Sequence, residues 1–524
     1  MKGDLSDLLP PHFFEDPVLS ALAAGAGMIR ESRLRWAGIL PLPGGERVFL
    51  KRDRSKGAWE EIKYRMFPSR GRKEWLTAML LEARGVRIPQ PMGWMERIRG
   101  GRVKESYYLS EAVGSGTSCL DESVPLTHRA TIVELAKAVR KILDAGLFHK
   151  DFHAGNFLWK GTSVVLTDLH KTKIVSRLSL RRKLWMISHL FHSFRFRWTK
   201  EHEAAFLEAC FEGECFSDKE KEGHLQAIHL WMDRLQKRQW RSRTKRCLKQ
   251  STEFTVEKEG QMTFYRRREV SLDELREAIR EHRRIAGEEP ASLLKNSPRV
   301  VVSLVENEKA KICVKQFAYP TLGARMKESF RKEKGLKAWV AANGLNARGI
   351  PGLKLLAFVK RRGWLEGREG FLLMEAFENG QEMDRYLVKG FDDFMTKRRF
   401  IRAFAHWLSR LHEKGVYHQD MKTCNIWVSE KGGVWDFTLL DLEDVVLDET
   451  VDGRKLFRTC LQLNTSIPGK ITRTDRLRFL RQYLACRPVS IEMRRWVKQM
   501  ADETRKRGTL YVAPWGVVRE DPAS

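Results

Sequence analysis

Two strings, HKDFHAGN (His149–Asn156) and HQDMKTCN (His418–Asn425), constrain this chain more than any other feature. In each, an Asp follows a His by two residues and precedes an Asn by five. Each string follows an amphipathic stretch, LTHRATIVELAKAVRKILDAGLFH or KRRFIRAFAHWLSRLHEKGVYH, with apolar residues at helical spacing. Gly146 and Gly415 stand just past the last helical turn, where a left-handed residue closes a helix. An apolar strand ending in an acid comes next: SVVLTDLH with Asp168, and FTLLDLED with Asp441.

The upstream surroundings repeat as well. A β-rich run carries a lysine, RVFLKR with Lys51 or KICVKQF with Lys315. A helical stretch and a Gly-Val-x-x-Pro or Gly-Ile-Pro phrase follow (RGVRIPQP, RGIPGLKL), then a strand segment ending in an acid, YYLSEA with Glu111 or FLLMEA with Glu375. The chain thus reads as α+β, a tandem of two bilobal units with a β-rich N-lobe and a helical C-lobe. The expected domains are 1–245 and 246–524, the second opening with an extension over 246–294.

Phosphoryl transfer from ATP needs this set of parts: a lysine on the phosphates, an Asp that orients the attacking hydroxyl, and an Asn and a second Asp for magnesium. The first unit offers Lys51, Asp151, Asn156 and Asp168. The second offers Lys315, Asp420, Asn425 and Asp441. His149 and His418 read as packed or hydrogen-bonded loop residues rather than catalysts.

The formal charge of +29 is unevenly spread. RLQKRQWRSRTKRCLK (Arg234–Lys249) holds eight basic residues and no acid, and SRLSLRRK, RFRW and YRRR add to it. Such a field attracts phosphates, nucleic acid or an anionic membrane face, although single cations in it are ordinary solvated groups. A specific nucleic-acid role rests on charge alone and is the weakest reading. The eight cysteines are scattered without a CxxC pair, which argues against a disulfide framework or a zinc site. MKGDLSDLLPPHFFEDP lacks a signal-peptide pattern, and the longest apolar stretch, near Ala21 to Ile29, is far short of a membrane span. A soluble cytoplasmic chain is expected.

These motifs resemble the protein-kinase-like superfamily and, within it, the lipopolysaccharide core kinases of the Kdo/WaaP type. The narrower likeness lies in SRGRKEWLTAMLLEARGVRIPQP, TDLHK, RGIP, LLDLEDV and RTDRLRFLRQYL. The resemblance implies two kinase-like folds, use of ATP and Mg2+, and a sugar acceptor on an anionic glycolipid. It also implies peripheral work at the cytoplasmic surface of the inner membrane. Glu74 stands where such a kinase places the helix glutamate that pairs with Lys51. Counting back from RGIP in the second unit reaches Ala338 instead, with Glu333 as the candidate substitute. Gly44 and Gly45 offer a short phosphate-covering turn, whereas no glycine loop precedes Lys315. Two residues after the loop Asp, His153 is as in small-molecule kinases and Lys422 as in protein Ser/Thr kinases. The leading expectation is a double-headed kinase for heptose or Kdo hydroxyls of the inner core. The alternatives are a protein or small-molecule kinase, and a second unit that is a regulatory pseudokinase.

Overall fold

The computed structural model describes residues 9–10, 12–42, 45–114, 116–306, 311–318, 333–362, 368–377 and 379–520, without the side chains of 362 and 368. The chain divides into two compact units, Met1–Gln236 and Lys237–Ser524.

The first unit opens with a five-stranded antiparallel sheet in the order Gly27–Ser32, Arg35–Pro41, Arg47–Arg54, Arg102–Glu111, Pro91–Arg99. Alternation along the strands sets its faces. Trp36, Leu40, Val48, Leu50, Tyr107 and Leu109 form one core with Val18 and Ala21 of the helix Pro17–Ala23. Lys51, one residue on from Leu50, therefore projects from the opposite face, towards the helix Arg70–Ala83. That helix lies close to the sheet because residue 71 is glycine. A Cβ there would stand 2.3 Å from the Tyr107 carbonyl oxygen.

The helical lobe is organised by Arg129–Asp144, whose apolar stripe (Ile132, Leu135, Ala136, Val139, Ile142, Leu143) is buried. Gly146 then turns the chain at φ +73°, in space where a Cβ would meet the Val175 carbonyl at 2.0 Å. Leu147–His149 pairs with Thr172–Ile174, and the hairpin Phe157–Lys160/Ser163–Leu166 lies between them in sequence. Both ends of the loop that carries Asp151, Asn156 and Asp168 are thereby anchored.

The second unit repeats this plan and extends it. Its sheet has seven strands, ordered Phe254–Glu259, Met262–Arg267, Leu355–Arg362, Arg368–Glu375, Lys311–Ala318, Val300–Glu306, Lys295–Ser297. The first two form a hairpin from the 246–294 stretch, added to the edge at Leu355–Arg362. The amphipathic helix Leu272–Glu288, started by a Ser271/Glu274 capping box, packs Leu275, Ala278, Ile279 and Ile285 on the sheet. Lys334–Ala347 matches the helix Arg70–Ala83, and Phe394–Glu413 matches Arg129–Asp144. The closing hairpin Thr509–Ala513/Gly516–Glu520 is tied to the helix Met383–Lys389 by Val512 N–H donating to Asp384 Oδ2 at 2.8 Å. All eight cysteines are free, and no helix among the described residues is long and apolar enough to cross a membrane.

Candidate active site

The two loop histidines are buried and hydrogen-bonded, as the sequence suggested, and each bridges two backbone groups. His149 is fully buried. Its Nδ1 accepts from the Asp151 backbone N–H at 3.0 Å, and its Nε2 donates to the Asp168 carbonyl at 3.0 Å. His418 repeats this with the Asp420 N–H at 3.2 Å and the Leu440 carbonyl at 3.3 Å. Burial pushes the His149 imidazole down to about 4, which keeps it neutral and able to accept.

The asparagines are held alike. Asn156 Nδ2 donates to the Asp151 carbonyl at 2.7 Å, and Asn425 Nδ2 to the Asp420 carbonyl at 2.8 Å. With the amide nitrogen so engaged, Oδ1 is left as a hard oxygen donor. Thr167 N–H and Leu440 N–H bond the Asn156 and Asn425 carbonyls, both at 2.8 Å, so the residue before each second Asp is fixed against the Asn. Asp168 (φ +56°) and Asp441 (φ +43°) are both left-handed, a conformation rare outside glycine and concentrated at functional sites. An Asn–Asp oxygen pair suits magnesium, which commonly takes one or two protein oxygens and completes its shell with phosphate and water. Among the described residues no cluster of three His, Cys, Asp or Glu could hold a metal unaided.

In the first unit Lys51 Nζ donates to both oxygens of Glu74 at 3.0 Å and to Asp168 Oδ1 at 2.8 Å. Burial works against the ammonium, but the charges of Glu74 and Asp168 outweigh it and hold Lys51 above its ordinary range. Burial likewise opposes the Asp168 anion, yet hydrogen bonding by His170 and the charge of Lys51 hold that carboxyl far below the usual range. Asp151 Oδ2 accepts from Lys171 Nζ at 2.6 Å, which overcomes burial and keeps Asp151 low.

The second unit builds the same centre from other positions. Lys315 Nζ donates to Asp441 Oδ1 at 2.7 Å and to Glu443 Oε1 at 2.9 Å. Glu333 stands at the N-cap of Lys334–Ala347, so the carboxylate on Lys315 is Glu443 and not the Glu333 anticipated from sequence. Asp420 is paired with Lys422 at 3.1 Å. His153, at the matching place in the first loop, accepts from Gly155 N–H at 3.1 Å, capping its own turn, and its Nε2 stands 3.9 Å from Asp151 Oδ1.

The glycine turn is a correction. Gly45 lies between the strands Arg35–Pro41 and Arg47–Arg54, at the start of the lysine strand, six residues before Lys51. Gly44 lies outside the described residues. The hairpin near the site is Ser32–Arg35, which is glycine-free. From it Arg35 Nε donates to Asp53 Oδ1 at 2.8 Å and Nη1 approaches His170 Nε2 at 3.5 Å. Arg35, His170, Lys171 and Glu443 escaped sequence reasoning. The residues two and three after each second Asp, His-Lys against Glu-Asp, differ in charge, and that contrast beside Ala338 was the available signal.

Comparison with known proteins adds the family. The model of the lipopolysaccharide kinase (Kdo/WaaP) family matches residues 44–210 and 325–483. A rice (Oryza sativa subsp. japonica) CBL-interacting protein kinase 17 is 31% identical over 64 residues, 12% of this chain, and the chain spans only 14% of that protein's length. Among solved structures, WaaP in complex with acyl carrier protein is 18% identical with a TM-score of 0.32, over 41% of this chain and 88% of that one. The first matched segment contains Lys51, Glu74, Asp151, Asn156 and Asp168; the second contains Asp420, Asn425, Asp441 and Glu443. The two segments together span more than half of the sequence, and the chain belongs to the lipopolysaccharide kinase (Kdo/WaaP) family.

Proposed function

We propose that this lipopolysaccharide kinase carries two catalytic heads, each moving the γ-phosphoryl group of ATP to a sugar hydroxyl of the inner core, heptose or Kdo. Lys51 and Lys315 bind the nucleotide phosphates, with Glu74 holding Lys51. Asp151 and Asp420 orient the attacking hydroxyl and accept its proton. The bond from γ-phosphorus to the bridging oxygen breaks to leave ADP, and a new phosphorus–oxygen bond forms to the sugar. Asn156 with Asp168, and Asn425 with Asp441, are the magnesium ligands. The metal, when bound, neutralises charge on the phosphates. The observation that carries the reading is the recurrence of one geometry in both units: lysine on the second Asp, Asn on the carbonyl of the first, and a left-handed second Asp.

The charge of +29 supports an anionic glycolipid acceptor met at the cytoplasmic face of the inner membrane. Such attraction weakens as salt shortens the screening length to about 10 Å or less. Transfer from labelled ATP to dephosphorylated core lipopolysaccharide tests the proposal, using wild type, Asp151→Asn, Asp420→Asn and the double variant. Loss of a different phosphorylated position in each single variant supports two heads. Failure of the wild type to label core sugar sinks the substrate assignment. A second reading, in which the second unit is a regulatory pseudokinase, draws on Ala338 and the glycine-free approach to Lys315. It prevails if Asp151→Asn alone abolishes all transfer.

A further inference from the structure

We propose that Glu443 is the positioning residue for Lys315, supplying from the segment beside Asp441 the carboxylate that the first unit supplies from a helix. This deepens the reading of the second unit as a catalytic head and rests on it.

Lys51 and Lys315 are equivalent in register. Lys51 lies between Ala37 and Tyr108 on its neighbouring strands, and Lys315 between Val302 and Leu372. Glu74 and Ala338 are each the fifth residue of a 14-residue helix. Ala338 is fully buried, and a methyl group there offers an ammonium nothing. Two residues past the second Asp the difference is reversed. His170 occupies that place in the first unit and bonds Asp168 Oδ1 at 2.5 Å. Glu443 occupies it in the second and reaches Lys315.

Each buried lysine therefore keeps two carboxylates, the second Asp and one glutamate, and only the glutamate's origin has changed. This is a pair removed from solvent, since the Lys315 and Glu443 side chains are 12% and 11% exposed. A lysine so enclosed needs the second anion to offset its lost hydration. The relocation also changes how the pair meets the helix. Glu74 is carried on Arg70–Ala83 itself, while Glu443 lies on the turn Leu442–Asp444, which packs against Lys334–Ala347, and so reaches Lys315 from outside the helix.

The test uses the full chain. Lys51 and Lys315 are acylated with an amine-directed reagent under increasing ATP, and protection is read peptide by peptide. The half-protecting ATP concentration at Lys315 reports the second site, with Lys51 in the same molecule as control. Glu443→Gln raises that concentration about tenfold at Lys315 and leaves Lys51 unchanged. In an Asp151→Asn background the same variant lowers transfer about 30-fold. Moving the carboxylate back, Ala338→Glu with Glu443→Ala, restores both readouts to within a few-fold. If the buried Glu cannot be accommodated and the protein fails to fold, Glu443→Asp serves, with an effect on both readouts smaller than that of Glu443→Gln. Unchanged protection of Lys315 in Glu443→Gln overturns the proposal. Loss of all transfer in Asp151→Asn alone, with the protection shift intact, overturns the catalytic-head reading and leaves the positioning role standing.

Discussion

The two centres reach one arrangement of charge by different residues, and the difference shows which features the arrangement requires. The first takes its lysine partner from a helix, Glu74, and the cation on its loop Asp from Lys171. The second takes the partner from Glu443 and the cation from Lys422 within the loop itself. Unchanged in both are the lysine on the second Asp, the buried bracketing His, the Asn turned onto a carbonyl and the left-handed Asp. The invariant parts fix backbone and the residues proposed to hold magnesium. The exchanged parts supply charge, which acts over a distance and can come from any neighbouring strand or loop.

The largest break in the comparison comes from the invariant positions. Asp151→Asn and Asp420→Asn each lower transfer by their own head about 1000-fold, in line with losing a positioned base. Product mapping on core lipopolysaccharide checks this. Equal loss at one shared position from either variant would show the heads acting on a single hydroxyl.

A stability effect follows from His149. Its imidazole is held down to about 4 by burial, below the ordinary 6.5. The unfolded chain therefore takes up the proton first as pH falls, and stability is lost between pH 6.5 and about 4, with no further loss below. Between pH 7 and pH 5 the cost is about 2 kcal/mol. Urea midpoints at the two pH values measure it. His149→Gln is less stable at pH 7 but loses less on acidification, and an equal loss in wild type and variant would remove His149 as the cause. In the second unit burial pushes the His412 imidazole down to about 3. It bonds Tyr483 and lies outside the loop, so its loss sets in with the same first protonation of the unfolded chain and extends to lower pH.

The exchanged cations give a smaller effect. Lys171→Ala and Lys422→Ala each reduce kcat/KM of their own head about 10- to 30-fold, as expected for one electrostatic contact. Asp151 is held below its usual range by Lys171 despite burial. Removing the lysine raises the Asp151 pKa, so the acid limb of the pH–rate profile moves to higher pH. A profile that keeps its acid limb in Lys171→Ala would assign that limb to another group.

How far the sequence reveals these centres follows the same division. The loop aspartates, both asparagines and both lysines were legible because each recurs at a matching place in the two copies of a local motif, and Glu74 through the family resemblance. That His149 and His418 are hydrogen-bonded loop residues was legible too, but not which backbone groups they bridge. Glu443 was not, because its role depends on the absence of a carboxylate at Ala338, about a hundred residues away in sequence. Lys171 was hidden because it reaches Asp151 across the pairing of Leu147–His149 with Thr172–Ile174. Gly45 misled, since a glycine before a strand suggests a loop over phosphates, whereas the strand order puts it at the far end from Arg35 and His170. In the fold, the tandem of two bilobal units was readable from the motifs and surroundings that recur in the same order. That the 246–294 stretch extends the sheet edge was not, because edge pairing leaves no local pattern.

The finest distinction concerns the helix that carries Glu74. Gly71→Ala places a Cβ 2.3 Å from the Tyr107 carbonyl, backbone that cannot step aside, so Arg70–Ala83 must lift. Glu74 lifts with it, and transfer by the first head falls several-fold, about 5- to 10-fold, as the Lys51 pair lengthens. Gly335→Ala is the matched change, its Cβ meeting Phe358 Cε2 at 2.3 Å. It too disturbs the helix on its sheet and lowers thermal stability, but Glu443 lies on a turn packed against Lys334–Ala347 and not on the helix itself. The second head therefore loses less, about two- to threefold below the unfolding temperature, since the pair that must be in place for phosphoryl transfer is displaced only indirectly. Rates for each acceptor position, taken beside the melting curves of the two variants, decide the matter. If Gly335→Ala slows its head as much as Gly71→Ala slows the other, the helix governs both lysines and the relocation to Glu443 changes nothing in that control.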